Sequence, residues 1–86
     1  MANTLGLSYI QLKNCKKSRI TATCRQVIKE IYSSNEQRAM ERISTMCPNR
    51  LQAIRSFARL AHPKAKKTST YILNNAIGNV FAHARL

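Results

Sequence analysis

The chain has 86 residues, with fifteen Lys or Arg against three Asp or Glu and a formal net charge of +12 at pH 7. So small a domain buries only about 60% of its unfolded surface, which disfavours an enclosed enzyme pocket, and an apolar fraction of 44% disfavours a disordered basic tail. We therefore expect one folded, non-enzymatic domain over residues 1–86 that binds a polyanion, first of all nucleic acid.

The first predicted helix begins at Ile20, where apolar residues recur at offsets of four, seven, eight and eleven, and it ends near Ser33. Asn35 suits the cap of a second helix. That helix carries apolar residues on one face as far as Cys47 and is interrupted or kinked at Pro48. Pro48 is equally suited to the first turn of a new helix.

The apolar stripe resumes after Pro48 and is expected to break at Pro63, which leaves residues 64–67 in a basic loop. Residues 68–70 carry hydroxyl groups that can cap a last helix, and no charged residue follows until Arg85. The whole chain contains only two Gly and two Pro, too few for the many turns of an all-β fold. The sequence thus predicts an all-α fold, a three-helix bundle with a long N-terminal helix, a middle helix kinked near Pro48, and a C-terminal helix.

The positive charge is concentrated in two segments, the first basic run (residues 13–29) and the second basic run (residues 50–67). Each run carries six bases and no acid. In a helical bundle the two runs can lie side by side, and the lack of interleaved acids favours an RNA-facing surface over a merely solvated one. The predicted RNA-binding residues are Lys13, Lys16, Lys17, Arg19, Arg25, Lys29, Arg55, Arg59, His62, Lys64, Lys66 and Lys67. For His62, a buried hydrogen-bonded histidine is the alternative.

Aromatic residues are few and scattered along the chain, and two of them fall on apolar stripes. The sequence therefore predicts contacts to the phosphate backbone and to RNA shape, without a base-stacking platform. The aromatic residues are Tyr9, Tyr32, Phe57, Tyr71 and Phe81.

Three cysteines, Cys15, Cys24 and Cys47, are an odd number without a C-x-x-C pair. Reduced thiols are therefore expected, with no disulfide framework, no metal and no cofactor. The alternative is a zinc site that adds His62 or His83 to the cysteines, although structural zinc usually takes two close pairs of ligands.

Several short motifs resemble, in order and spacing, the bacterial-type small-subunit ribosomal protein S-twenty family, and the chain length also matches. The resemblance implies a three-helix bundle that binds small-subunit rRNA and aids subunit assembly beside neighbouring ribosomal proteins, without a catalytic residue or a small-molecule substrate. The matching positions are Met1-Ala2-Asn3, Val27-Ile28-Lys29-Glu30-Ile31-Tyr32, Met46-Cys47-Pro48, Leu60-Ala61-His62, and Leu73 eleven residues after the histidine.

No acid precedes Glu30, and acid-free starts of this kind resemble organellar targeting segments. An RNA-facing helix is the alternative explanation, and one segment could serve both purposes. With the family resemblance, we expect a mitochondrial ribosome, with a plastid or the bacterial cytoplasm as alternatives. No apolar run is long enough to predict a membrane span.

A helix-turn-helix DNA-binding regulator is the main alternative function, because short basic helical chains often have that role. The motif needs a turn of three to four residues, often with Gly, between two helices. Asn35 and Pro48 mark the only candidate turns.

Overall fold

The computed structural model describes residues 2–86, which contain six α-helices and no strand, so the predicted all-α fold is confirmed. Met1, the first residue of the family-like opening, lies outside this range. None of the described helices is long and apolar enough to cross a membrane. The helices are α1 (Ala2–Leu5), α2 (Tyr9–Asn14), α3 (Ile20–Ile31), α4 (Asn35–Ala39), α5 (Pro48–Ala61) and α6 (Thr70–Ala84), with 3-10 turns at Ile43–Thr45 and Pro63–Ala65.

Helix α3 lies at the centre of the fold and contacts both α5 and α6. It begins at Ile20, as predicted, and its apolar stripe is buried as far as Ile28. The helix ends at Ile31, and the following Tyr32 packs edge-to-face on Phe81 of α6 with ring centroids 5.5 Å apart. The periodicity of the sequence therefore locates both the helix and its buried face.

Helix α6 packs along α3. The hydroxyl of Ser69 accepts the backbone N–H of Ile72 at 3.2 Å, so the predicted cap is confirmed. The predicted core face is buried at five positions and half-buried at Ala84; the buried residues are Leu73, Ala76, Ile77, Val80 and Phe81.

The predicted middle helix, running from Asn35 through Cys47 with a kink near Pro48, is not confirmed. Helix α4 ends at Ala39, and Met40, placed on its apolar face by the sequence pattern, is 86% exposed. A 3-10 turn follows, and Pro48 occupies the first turn of α5. Pro48 therefore begins a new helix and does not kink a continuous one.

Glu41 accounts for the break between α4 and α5. Its carboxylate accepts the backbone N–H of Arg42 at 3.0 Å and the hydroxyl of Thr45 at 2.8 Å. Arg42 has extended backbone angles (φ −143°, ψ 153°), which a continuing helix cannot contain. A local side-chain hydrogen bond therefore competes successfully with the helical pattern.

The long N-terminal helix is also not confirmed, because the chain before α3 forms the two short helices α1 and α2. Gly6 has φ +70°, a left-handed conformation that ends α1. Ser8 then starts α2 by a capping box with Gln11. The acid-free start is part of the core, since it contributes the buried residues Leu5, Leu7, Leu12 and Cys15.

Candidate nucleic-acid interface

The two basic runs meet in a groove between the loop that joins α2 to α3 and the turn that follows α5. Residues Lys16, Lys17 and Arg19 of the first run line it together with His62 and Lys64 of the second, around a volume of about 760 Å³. We call it the basic groove. Its lysine and arginine side chains are exposed, and none of the described residues that line it is acidic. Such a surface suits an anion with several charges in a row, such as a phosphodiester backbone.

A buried threonine joins the two sides of the basic groove. Thr23 is 0% exposed; its Oγ1 accepts the backbone N–H of Lys17 at 2.9 Å and lies 2.7 Å from Nε2 of His62. Because the Lys17 N–H donates to the threonine oxygen, the threonine hydroxyl can donate its own proton to Nε2 of His62. In that assignment Nε2 is the acceptor, so the imidazole proton is on Nδ1. His62 is half-buried and hydrogen-bonded, as in the structural alternative, and it also lines the basic groove, so its contact with RNA stays a prediction. The link fixes the position of Lys17 relative to the turn that carries Lys64.

Two of the three arginines of the second run, Arg55 and Arg59, donate hydrogen bonds inside the protein. Arg55 donates from Nη1 to Oδ1 of Asn74 at 2.9 Å. Arg59 donates from Nη2 to the carbonyl of Thr68 at 3.1 Å and to Oγ1 of Thr70 at 3.2 Å. Both arginines are half-buried. These contacts connect α5 with α6, so the two arginines, predicted to face RNA, also stabilise the fold.

Lys66 and Lys67 are exposed and lie outside the basic groove. Together with Arg59, Ser56 and Leu60 they line a shallow depression of about 600 Å³. The structure therefore divides the second run between two concave surfaces.

Arg25 and Lys29 of the first run line a separate groove between α3, α4 and α6, with a volume of about 310 Å³. We call it the terminal groove. Arg38 and His83 line it as well, and Arg38 donates from Nε to the carbonyl of Tyr32 at 2.8 Å. Sequence reasoning missed Arg38 and His83, because each stands apart from the basic runs along the chain. Only the packing of α4 and α6 beside α3 brings them to Arg25.

Lys13 lies at the edge of a third groove, which we call the apolar groove, between α2 and α5. It has a volume of about 450 Å³ and contains two aromatic side chains, in contrast to the scattered aromatics expected from the sequence. Tyr9 is 76% exposed and Phe57 is half-buried. The lining residues are Tyr9, Leu12, Lys13, Lys16, Phe57, Leu60 and Ala61.

The three cysteines are free thiols in different environments. Burial raises the pKa of Cys15 and of Cys24 to about 11, which keeps both protonated near neutral pH. Cys47 is exposed, and the backbone N–H groups of Arg50 and Asn49 lower the pKa of its thiol. Within the described part of the chain, no group of three or more His, Cys, Asp or Glu is placed to hold a metal ion.

A helix-turn-helix arrangement needs a short turn followed by a helix long enough to enter the major groove. Three residues join α1 to α2 and α3 to α4, but α2 has only six residues and α4 only five. The longer helices α3, α5 and α6 each follow a connection of five or eight residues. Among residues 2–86, therefore, no pair of helices combines a short turn with a second helix of sufficient length.

A scan against protein-family models, a search of curated proteins and a search of solved structures find no match for this chain. The family resemblance stays a prediction that rests on the residues named for it. The basic groove is a property of the fold and does not depend on the resemblance.

Proposed function

We propose that the chain is a structural constituent of the small ribosomal subunit and binds the phosphate backbone of small-subunit rRNA through the basic groove. The observation that carries this proposal is the convergence of Lys16, Lys17, Arg19 and Lys64 on one concave surface whose described lining includes no acid. Lysine binds phosphate as a point charge, while Arg19 can donate two parallel hydrogen bonds to phosphate oxygens. The family resemblance supplies the ribosomal identity of the RNA.

Backbone contacts also fit the physical character of structured RNA. The major groove of an A-form helix is too deep and narrow for side chains to read, so proteins bind such helices through phosphates, sugars and shape. Each phosphate neutralised releases counterions, which makes affinity fall as salt rises.

In this proposal α3, α5 and α6 are the three-helix bundle that the resemblance implies, with α1, α2 and α4 as additions. The terminal groove and the exposed lysines Lys66 and Lys67 add phosphate contacts on other faces. A domain that binds phosphates on more than one face can hold RNA helices together during assembly, beside neighbouring ribosomal proteins.

We place the protein in the mitochondrial ribosome as part of the same proposal. Because Leu5, Leu7 and Leu12 are buried in the core, removal of the start of the chain would expose apolar surface. We therefore expect the segment to be retained after import. Incubation of the full chain with isolated mitochondria should yield protease-protected protein of unchanged length; failure to enter would exclude the mitochondrial assignment.

The central experiment is a binding titration of the full chain against a small-subunit rRNA fragment from about 50 to about 300 mM salt. The four phosphate contacts of the basic groove should by themselves give a slope of about −3 in log K against log salt, and contacts on other faces should steepen it. Duplex DNA of the same length serves as the competitor. Tighter binding to the DNA, or binding to rRNA that does not change with salt, would refute the proposal and favour a DNA-binding regulator.

A further inference from the structure

The apolar groove has a composition unlike that of the other two grooves. Two aromatic rings, two leucines and an alanine line it, and its only charged residues are Lys13 and Lys16. Of these residues, Tyr9 is 76% exposed and Leu60 is 71% exposed. By contrast, Tyr32 packs against Phe81 and donates its hydroxyl to Glu41. Tyr9 is thus an aromatic ring left exposed beside an apolar concavity.

The apolar groove is continuous with the basic groove. Lys16 and Ala61 line both of them. A phosphate that binds Lys16 therefore stands at the border between the two surfaces. The base of the same nucleotide can reach the aromatic side while the chain of phosphates continues toward Lys17 and Arg19.

We infer that the apolar groove binds one unpaired nucleobase of the RNA whose phosphates occupy the basic groove. The inference rests on the proposed function and adds a preference for RNA with a bulged or single-stranded nucleotide. Aromatic rings such as Tyr9 and Phe57 stack on any base, because every base has a π-face, so the preference is for an unpaired base and not for a sequence. Lys13 and Lys16 flank the stacked base with the positive charge that its neighbouring phosphates require.

The charge at the rim of the apolar groove favours a nucleotide as its occupant. Lys13 and Lys16 are the charged residues that line it, and both are exposed. A nucleobase can stack on the aromatic rings while these lysines complement its flanking phosphates.

The test compares two RNA hairpins that differ only in one bulged 2-aminopurine, a fluorescent base that is quenched when it stacks. The full chain should bind the bulged hairpin at least about tenfold more tightly than the paired one and should quench the fluorescence. Tyr9→Ala should abolish the preference and the quenching, while its affinity for the paired hairpin and its salt dependence stay unchanged.

Tyr71→Ala is the matched control, since Tyr71 is 74% exposed but lines neither groove, and it should behave as the parent does. Equal affinity for the two hairpins, or a preference that survives in Tyr9→Ala, would overturn the inference while leaving the proposed function intact. A loss of preference in Tyr71→Ala as well would also overturn it. If neither hairpin binds in a salt-dependent way, the proposed function itself fails. An acidic amphipathic peptide that binds through Tyr9, without any preference between the hairpins, would instead assign the groove to a protein partner.

Discussion

The first and second basic runs each carry six bases and no acid, yet their side chains do different things in the folded protein. Lys16, Lys17 and Arg19 of the first run are exposed around the basic groove. Arg55 and Arg59 of the second run donate hydrogen bonds to residues of α6 and of the loop before it. Equal charge on two segments therefore does not mean equal availability to a ligand.

The difference comes from what lies next to each run. Arg55 and Arg59 of the second run are on α5, where α6 offers the uncharged acceptors Asn74 and Thr70. The cations from Lys16 to Arg19 lie in the loop before α3, where they border a groove. A cation near neutral acceptors stabilises the fold, whereas a cation at the edge of a groove remains available for phosphate.

The largest expected effect is on RNA binding by the basic groove. Replacing Lys16, Lys17, Arg19 and Lys64 together by Ala should lower rRNA affinity about 100-fold at low salt and flatten the salt slope by about three. The melting temperature should stay close to that of the parent, because these side chains are exposed. Filter binding and circular dichroism measure the two quantities. Lys66→Ala with Lys67→Ala is the control and should have a smaller effect; unchanged affinity in the fourfold variant would show that the basic groove is not the contact surface.

The next effect concerns the link between the runs. Thr23→Val removes the hydroxyl that pairs with Lys17 N–H and with His62, so the free energy of unfolding should fall by about 2 kcal/mol. Urea titration followed by circular dichroism measures it. Thr21→Val, on the same helix but half-buried, should change stability much less. Equal stability of the two variants would mean that the link does not support the groove.

Two single alanine variants compare an arginine that is hydrogen-bonded within the fold, Arg59, with an exposed arginine at the basic groove, Arg19. Arg59→Ala should reduce the free energy of unfolding by about 1 kcal/mol, because Thr68 and Thr70 lose a charged donor that is partly screened by solvent. Its RNA affinity should change little. Arg19→Ala should do the reverse, lowering affinity without loss of stability. If both variants bind RNA more weakly and neither loses stability, the proposed difference between the two runs is wrong.

A smaller effect is expected in α6, the helix that accepts hydrogen bonds from Arg55 and Arg59. Gly78→Ala should raise stability by about 0.5 to 1 kcal/mol, since Ala is the better helix former. A Cβ there would meet Cδ1 of Ile43 at 3.4 Å, an ordinary contact. Gly6→Ala is the opposing control and should destabilise by about 1 kcal/mol, because Gly6 has φ +70°. Thermal melts measure both, and a destabilised Gly78→Ala would show that α6 cannot accept the methyl group.

The smallest effect is a dependence of stability on pH through Glu41, in the segment between the runs. Partial burial favours the neutral acid, but hydrogen bonds from Arg42 N–H and from the hydroxyls of Thr45 and Tyr32 outweigh it and lower the pKa of this carboxyl. A lowered pKa means that the contribution is present above the ordinary glutamate pKa and is lost as the pH falls through the folded value. Urea titrations at descending pH should show a slight loss that Glu41→Gln lacks; identical profiles would contradict this role.

Much of the fold could be predicted from local patterns. The buried stripe of α3, the Ser69 cap and buried face of α6, and the break before Pro63 all follow from spacing or from residues adjacent in the chain. The middle segment could not be predicted in the same way. There the Glu41 carboxylate accepts hydrogen bonds from Thr45 and Arg42, and the apolar pattern through Met40 gives no sign of them.

The candidate site was predictable only as a set of residues. The sequence identifies the cations, but their division among four concave surfaces depends on which helices are neighbours. Neither His62 nor Tyr9 could be assigned from the pattern, because the role of His62 depends on Thr23, thirty-nine positions away, and that of Tyr9 on its position beside α5.

Helical period, capping residues and proline positions act over a few residues, so the order of amino acids is enough to establish an all-α chain with its main core faces and its excess of positive charge. Hydrogen-bond partners and groove walls come from segments far apart in the chain, so packing was needed to separate the cations that stabilise α5 against α6 from those left exposed at the basic groove. The physical reason is that charge is a property of a residue, whereas availability to a ligand is a property of its neighbours in space.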